Sequence, residues 1–288
     1  MNNIIEQMLA QHRSGTLGDK KNCIKEVVQE IILCGLSRAG FFQTAAFYGG
    51  TALRIFHGLD RFSEDLDFSL MAPDSDFRLD QYLPALEKEL GAYGFHFKAE
   101  AKVKANNSDV QSAFVKGNTR ECILLCYADE NLARTVVGSE LIKVKFEVDK
   151  TPPPYAEFER QFRLLPIPYE INLYDMPSLL AGKLHAVICR AWRSRIKGRD
   201  LYDYVFYLSN GTPLNLKHLN ARLIDSGFEG AREDMALDEI KEILNRRFES
   251  IDYSQARSDV LPFIRDPASL DMWSKEFFQS ITNKLIEQ

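Results

Sequence analysis

The sequence predicts an α/β (α+β) chain: an N-terminal α/β lobe followed by a mainly helical lobe. Three observations carry this expectation. A short apolar run, Ala45 to Tyr48, is broken by Gly49 and Gly50, resumes with helical spacing at Thr51 to Phe56, and gives way to alternation at Leu66, Phe68 and Leu70. A second alternating run spans Leu141 to Val148, with Val144, Phe146 and Val148 on one face and Lys145, Glu147 and Asp149 on the other. From Met176 onward the apolar residues recur at helical spacing to the end of the sequence.

Taken in order, Ile24, Val27, Val28, Ile31, Ile32 and Leu36 predict an amphipathic helix over about Lys20 to Ala39, ended by Gly40. The strand, glycine turn, helix and strand of residues 45–70 come next. Leu79 to Tyr93 reads as a helix, and Phe95 to Val103 and Ile123 to Tyr127 read as strands. Pro152, Pro153, Pro154, Pro166 and Pro168 interrupt any continuous element. The expected division is therefore a first lobe over 1–150, a proline-rich connection over 151–175, and a helical lobe over 176–288.

With 36 Lys plus Arg against 41 Asp plus Glu, the net charge of -5 excludes a global positive field, so a polynucleotide must be met by a local patch. The N-terminal residues lack the basic and apolar regions of a secretory signal, and no stretch reaches about 18 uninterrupted apolar residues. A cytoplasmic location without membrane contact is the expectation. Cys23, Cys34, Cys122, Cys126 and Cys189 are odd in number and scattered, which predicts reduced thiols rather than a disulfide or zinc framework.

Chemistry concentrates in four stretches. The turn Gly49-Gly50-Thr51 opens a helix, where backbone N–H groups and the absence of Cβ atoms suit phosphate oxygens; tight local geometry alone would also use such glycines. Asp65 and Asp67 alternate with Leu66 and Phe68, so both carboxylates share one strand face, roughly 7 Å apart at the backbone. They could converge on a divalent ion, or form a solvated strand face. Glu147 is the candidate third acid, with Asp149 the alternative. Lys183 sits inside the apolar stripe of the helix beginning at Met176, so its ammonium either snorkels out or meets an anion in a cleft, with Arg190 beside it.

From Lys183 to Arg199 there are six basic residues and no acid: Lys183, Arg190, Arg193, Arg195, Lys197 and Arg199. The strip from Arg190 onward is a candidate RNA contact, with Trp192 available for stacking, or a solvated helix end. Asp200 and Asp203 come immediately after, on one face of the next helix.

Taken together, GGTALRIFHGLDRFSEDLDF, KVKFEVD, AGKLHAVICR and GRDLYDYVFYLS resemble the AbiEii family of nucleotidyltransferases, toxins of type IV toxin-antitoxin systems. The resemblance implies a polymerase-β-like core with a mixed sheet, a helical domain, and an active site between them. It also implies that Gly49, Gly50, Thr51 and Ser63 contact the triphosphate and that Asp65 and Asp67 hold Mg²⁺ or Mn²⁺. Glu147 falls at the family's third strand motif, Lys183 at its nucleotide-contacting lysine, and Asp200 at the acid of its last motif, with Asp203 as the alternative. The implied activity transfers a nucleoside monophosphate from an NTP to an acceptor, RNA and especially the tRNA 3′ end, with a cognate antitoxin as partner. Transfer to a protein or small molecule, or nucleotide binding without catalysis, are the rival readings.

Overall fold

A computed structural model describes residues 3–12, 15–102, 109–190 and 196–288 of the chain. The chain forms two compact units that are interleaved in sequence. The first comprises Met1–Phe47, Glu64–Pro152 and Arg160–Leu173; the second comprises Tyr48–Ser63, Pro153–Glu159 and Tyr174–Gln288.

The helices among the described residues are α1 (Asn3–Ala10), α2 (Leu17–Arg38), α3 (Gly49–His57), α4 (Leu83–Ala92), α5 (Thr119–Tyr127), α6 (Glu130–Thr135), α7 (Met176–Cys189), α8 (Gly198–Ser209), α9 (Leu216–Asp225), α10 (Leu237–Glu249), α11 (Tyr253–Val260) and α12 (Lys275–Thr282). The strands are β1 (Ala45–Tyr48), β2 (Leu66–Leu70), β3 (Phe97–Lys102), β4 (Val110–Asn118), β5 (Leu141–Asp149), β6 (Phe158–Arg163) and β7 (Tyr169–Tyr174).

The strands form one sheet in the order β3-β4-β5-β2-β1-β7-β6. It is mixed: β3, β4 and β5 pair antiparallel, whereas β2 runs parallel to β5 and β1 parallel to β7. The α/β class expected from the sequence is the class observed. Helix α2 lies in the first unit against α1, α4, α5 and β5. It starts at a capping box in which the Thr16 hydroxyl accepts from the Asp19 N–H at 3.1 Å and the Asp19 carboxylate accepts from the Thr16 N–H at 2.9 Å.

The register of β2 matters most for function, because a slip by one residue would turn its acids inward. Phe68 prevents that. Its ring is fully buried and meets Phe41 and Phe47 with centroids 5.1 Å away and Phe146 at 6.5 Å. Burying such a side chain contributes about 1.5 to 3 kcal/mol, which fixes Asp67 on the opposite face.

Two expectations need correction, and one strand is not foreseen. Residues 123–127 are not a strand but the end of α5: the Asn118 side chain accepts from the N–H groups of Arg120 and Glu121, and Cys122, Ile123 and Cys126 are buried at helical spacing. The apolar run of residues 123–127 could not reveal this by periodicity, since it is continuous. Strand β4 has no counterpart among the expected elements. The stretch 151–175 contains β6 and β7, because its prolines bracket these strands instead of interrupting them.

In the second unit, Tyr204, Phe248 and Phe278 form an aromatic centre. Tyr204 and Phe248 have centroids 5.6 Å apart, and Phe248 and Phe278 are 5.2 Å apart. This centre fixes α8 against α10, α11 and α12, and α8 carries two of the acids singled out in the sequence.

Candidate active site

The glycine turn belongs to the second unit. Gly49 and Gly50 open α3, and its N-cap residue Tyr48 makes no side-chain capping hydrogen bond. The first N–H groups of a helix have no partner within it and carry its positive partial charge, so this turn presents donors suited to an anion. The two glycines are needed for different reasons. Gly49 has φ 84°, in the left-handed region. At Gly50 a Cβ would lie 2.5 Å from the Arg61 Nη2 and 3.0 Å from the Ser63 hydroxyl. Thr51 is buried, and its hydroxyl donates to Ser63 at 2.9 Å, so the two predicted phosphate-contacting hydroxyls form a pair.

The carboxylates belong to the first unit. Asp65 is exposed just before β2, and Asp67 is half-buried within it. Asp67 is in register with Glu147 of the parallel neighbour β5, and Glu147 is in register with Ser112 of β4 on its other side. The Glu147 carboxylate accepts from the Ser112 hydroxyl at 2.8 Å and from the Lys145 ammonium at 2.6 Å. The alternative acid, Asp149, is opposite Ser69 and accepts from the Thr151 N–H at 3.1 Å.

Among the described residues no three His, Cys, Asp or Glu gather as a ready-made metal-holding group. Two carboxylates two residues apart, Asp65 exposed and Asp67 half-buried, are a donor set that fits Mg²⁺ or Mn²⁺, because Mg²⁺ is commonly held by one or two carboxylates and completes its shell with substrate phosphates and water.

In the second unit the lysine inside the apolar stripe of α7 finds two anions. Lys183 Nζ lies 2.8 Å from Asp200 and 2.8 Å from Asp203, with 13 % of its side chain exposed. Both aspartates come from the first turns of α8, three residues apart and hence on one face. Asp203, fully buried, also accepts a bidentate pair from Arg61, Nε at 2.6 Å and Nη2 at 2.7 Å. Asp200 also accepts from Arg190, whose side chain is half exposed. Two cations and two anions are thus balanced inside the unit, with a third cation at the edge.

The electrostatics derive from these contacts. Burial pushes the Asp203 carboxyl upward, but Arg61 and Lys183 outweigh it and hold the group below its ordinary range. For Asp200, burial is likewise outweighed by Lys183 and Arg190. Burial favours the neutral form of Lys183, yet Asp200 and Asp203 raise it above the usual lysine value. All of these groups are charged at neutral pH.

The structure brings Lys183, Arg190, Asp200 and Asp203 together. Arg61 escapes a reading of the sequence alone, although an arginine beside the Asp-x-Asp motif in DRFSEDLD is a visible signal. In the basic strip, Arg193, Arg195 and Trp192 lie outside the described residues. Arg199 stacks on Phe263 at 4.1 Å and Lys197 precedes α8 as its N-cap residue.

The comparison that decides the family is with sequence profiles. The profile of the nucleotidyl transferase AbiEii toxin family, of type IV toxin-antitoxin systems, matches residues 31–278. The chain belongs to the AbiEii family. It is accordingly a nucleotidyltransferase. No curated protein matches the chain by sequence. Among solved structures, it is similar to JHP933 from Helicobacter pylori, with 18 % identity, 92 % of this chain and 88 % of that chain covered, and a TM-score of 0.47. It is also similar to MenT4, a nucleotidyltransferase toxin from Mycobacterium tuberculosis, with 15 % identity, 100 % and 99 % of the two chains covered, and a TM-score of 0.49. Within the AbiEii match lie the glycine turn, the Asp65 and Asp67 pair, Glu147, Lys183 and both α8 aspartates. No helix among the described residues is long and apolar enough to cross a membrane.

Proposed function

We propose that this AbiEii protein transfers a nucleoside monophosphate from an NTP to a hydroxyl of RNA, with the tRNA 3′ end as the expected acceptor and Mg²⁺ or Mn²⁺ as cofactor. The observation that carries the reading is the order of parts in one short stretch. A glycine-opened helix start at Gly49 to Thr51 leads, through the hydroxyl pair of Thr51 and Ser63, to two carboxylates that begin two residues after Ser63.

Gly49, Gly50, Thr51 and Ser63 hold the triphosphate, through backbone N–H groups and hydroxyls. Asp65 and Asp67 hold the cation. When bound, it would neutralise charge on the phosphates and the departing pyrophosphate. The acceptor oxygen forms a bond to the α-phosphorus, the bond from that phosphorus to the β-phosphate bridging oxygen breaks, and the acceptor proton passes to a carboxylate or to water. In this reading Glu147 orients the acceptor or takes its proton, which its register with Asp67 on the neighbouring strand supports.

Lys183 contributes positive charge toward the phosphates as part of its network with Asp200 and Asp203. Asp200 is engaged by both Lys183 and Arg190, which outweigh burial and hold its carboxyl below the usual range, and in this reading it orients Lys183. Catalysis rests on positioning and charge neutralisation more than on covalent chemistry by the protein.

A second reading, transfer to a protein or small molecule, is favoured by the net charge of -5 and by the engagement of Arg190 with Asp200. Incubating α-labelled NTPs with total RNA, with protein extract and with small hydroxylated acceptors separates the two. Label in RNA, concentrated in tRNA, is the expected result; label in protein alone would exclude RNA. As a toxin acting in the cytoplasm, the chain is expected to arrest growth when expressed and to be relieved by a cognate antitoxin.

A further inference from the structure

Arg61 lies in the segment between the glycine turn and the carboxylate pair, and its guanidinium uses every edge. Only 3 % of the residue is exposed. Nε and Nη2 donate to the two oxygens of Asp203 at 2.6 and 2.7 Å, and Nη1 donates to the Phe62 carbonyl at 3.1 Å. Nη2 also fills the space beside Gly50, 2.5 Å from where a Cβ would stand, while the Ser63 hydroxyl lies 3.0 Å from that same point. Phe62 in turn donates its N–H to the Phe263 carbonyl at 2.7 Å, so the backbone next to Arg61 is anchored as well.

This arrangement places one planar cation against three structures at once: the second residue of the α3 turn, the segment leading to Ser63, and the buried face of α8. A lysine could neutralise Asp203, but it offers no planar fork to fill the space beside Gly50 while binding both carboxylate oxygens. Asp203 also receives Lys183, so the same contact connects the turn to the Lys183 and Asp200 pair.

We propose that Arg61 is a positioning residue for the nucleotide: by wedging between Gly50 and Asp203 it sets where the N–H groups of the α3 turn and the Ser63 hydroxyl stand. The proposal rests on the reading of that turn as the triphosphate seat. It explains why the second position of the turn is glycine although that residue has no positive φ.

The test is direct binding of each ribonucleoside triphosphate, and of each monophosphate, to the full chain and its variants by calorimetry. Arg61→Lys is expected to weaken triphosphate binding by about tenfold or more, the size of one misplaced hydrogen bond to a charged group, with little effect on monophosphate. Gly50→Ala, whose new methyl displaces the guanidinium, should produce a similar loss. The double variant should bind no more weakly than the weaker single variant, because both changes break one contact.

A merely structural role would lower the melting temperature and the active fraction while leaving the affinity of the folded fraction unchanged. Wild-type triphosphate affinity in Arg61→Lys, equal losses for triphosphate and monophosphate, or losses that multiply in the double variant would each overturn the proposal. If Arg61→Lys does not fold, Gly50→Ala carries the test, since it retains the guanidinium. Gly49→Ala and Thr51→Val serve as controls: if they too keep full triphosphate affinity, the seat itself has been misread. If they lose it while Arg61→Lys does not, only the positioning role fails.

Discussion

Lys183→Met removes a buried cation while nearly preserving its volume, and the contacts of the ammonium set the size of the loss. The wild-type group lies 2.8 Å from each of two aspartates whose side chains are 5 % and 0 % exposed. Breaking a buried ion pair costs roughly 3 to 5 kcal/mol, mostly because the remaining charge is left without compensation. Here Asp203 keeps Arg61 and Asp200 keeps Arg190, so the loss should fall near the low end, about 3 kcal/mol. At roughly 2 to 4 °C per kcal/mol for a chain of this size range, the melting temperature should fall by roughly 6 to 12 °C.

The pH dependence gives a second signature. Although burial opposes it, the cations hold both aspartates below their ordinary 3.8, so their stabilisation is present above that value and is lost as pH falls through the lower folded values. Removing Lys183 raises those folded values, and the acid unfolding limb should begin at higher pH. At the alkaline end, Lys183 is raised above 10.5 by Asp200 and Asp203 despite burial, so its contribution is complete below 10.5 and is lost only as pH rises through the raised value. Thermal melts of wild type and Lys183→Met across this range measure both limbs. An unchanged melting temperature together with an unchanged acid limb would refute the buried network and return Lys183 to a solvent-facing position.

Three further outcomes are expected. Gly49→Ala places a Cβ at φ 84°, which should cost about 1 to 2 kcal/mol and weaken NTP binding; unchanged stability in a denaturant melt would contradict the left-handed turn. Gln29→Leu removes the bond from the Gln29 side chain to the Glu64 carbonyl, 2.8 Å long and immediately upstream of Asp65; about 1 kcal/mol should be lost and more Mg²⁺ should be needed for half-maximal activity, as a metal titration would show. The five cysteines are free, four of them buried, and burial pushes Cys34 and Cys126 up to about 12. A thiol reagent should therefore label only Cys189 in the native protein and all five residues in denaturant, counted by mass; rapid native labelling of Cys122 would contradict the packing of α5.

The parts of the fold legible in the sequence are those whose periodicity is unambiguous. α2 and α7 show helical stripes, and β2 and β5 alternate cleanly. α5 reads wrongly as a strand because a short continuous apolar run fits a buried strand as well as a helix, and the deciding feature is the Asn118 cap upstream. β6 and β7 are hidden by prolines that mark their ends.

At the candidate site, a lysine in an apolar stripe leaves two outcomes open in the sequence, an ammonium that snorkels out or one that meets an anion, and names no partner. The anions are Asp200 and Asp203, whose spacing on one helix face is visible. That Arg61 faces Asp203 is not visible, since 142 positions separate them and only the packing of the second unit brings them together. The engagement of Glu147 with Ser112 likewise depends on a strand, β4, that the sequence pattern does not announce.

The most direct measurement of the central claim uses one NTP labelled in parallel at the α- and the γ-phosphate, with wild type and Asp67→Asn, in Mg²⁺ and in chelator. Nucleotidyl transfer by the Asp65 and Asp67 pair predicts α-label retained on RNA, γ-label released as pyrophosphate, and loss of both signals with chelator and in Asp67→Asn. Transfer of the γ-label to the acceptor, or undiminished α-labelling by Asp67→Asn, would contradict it.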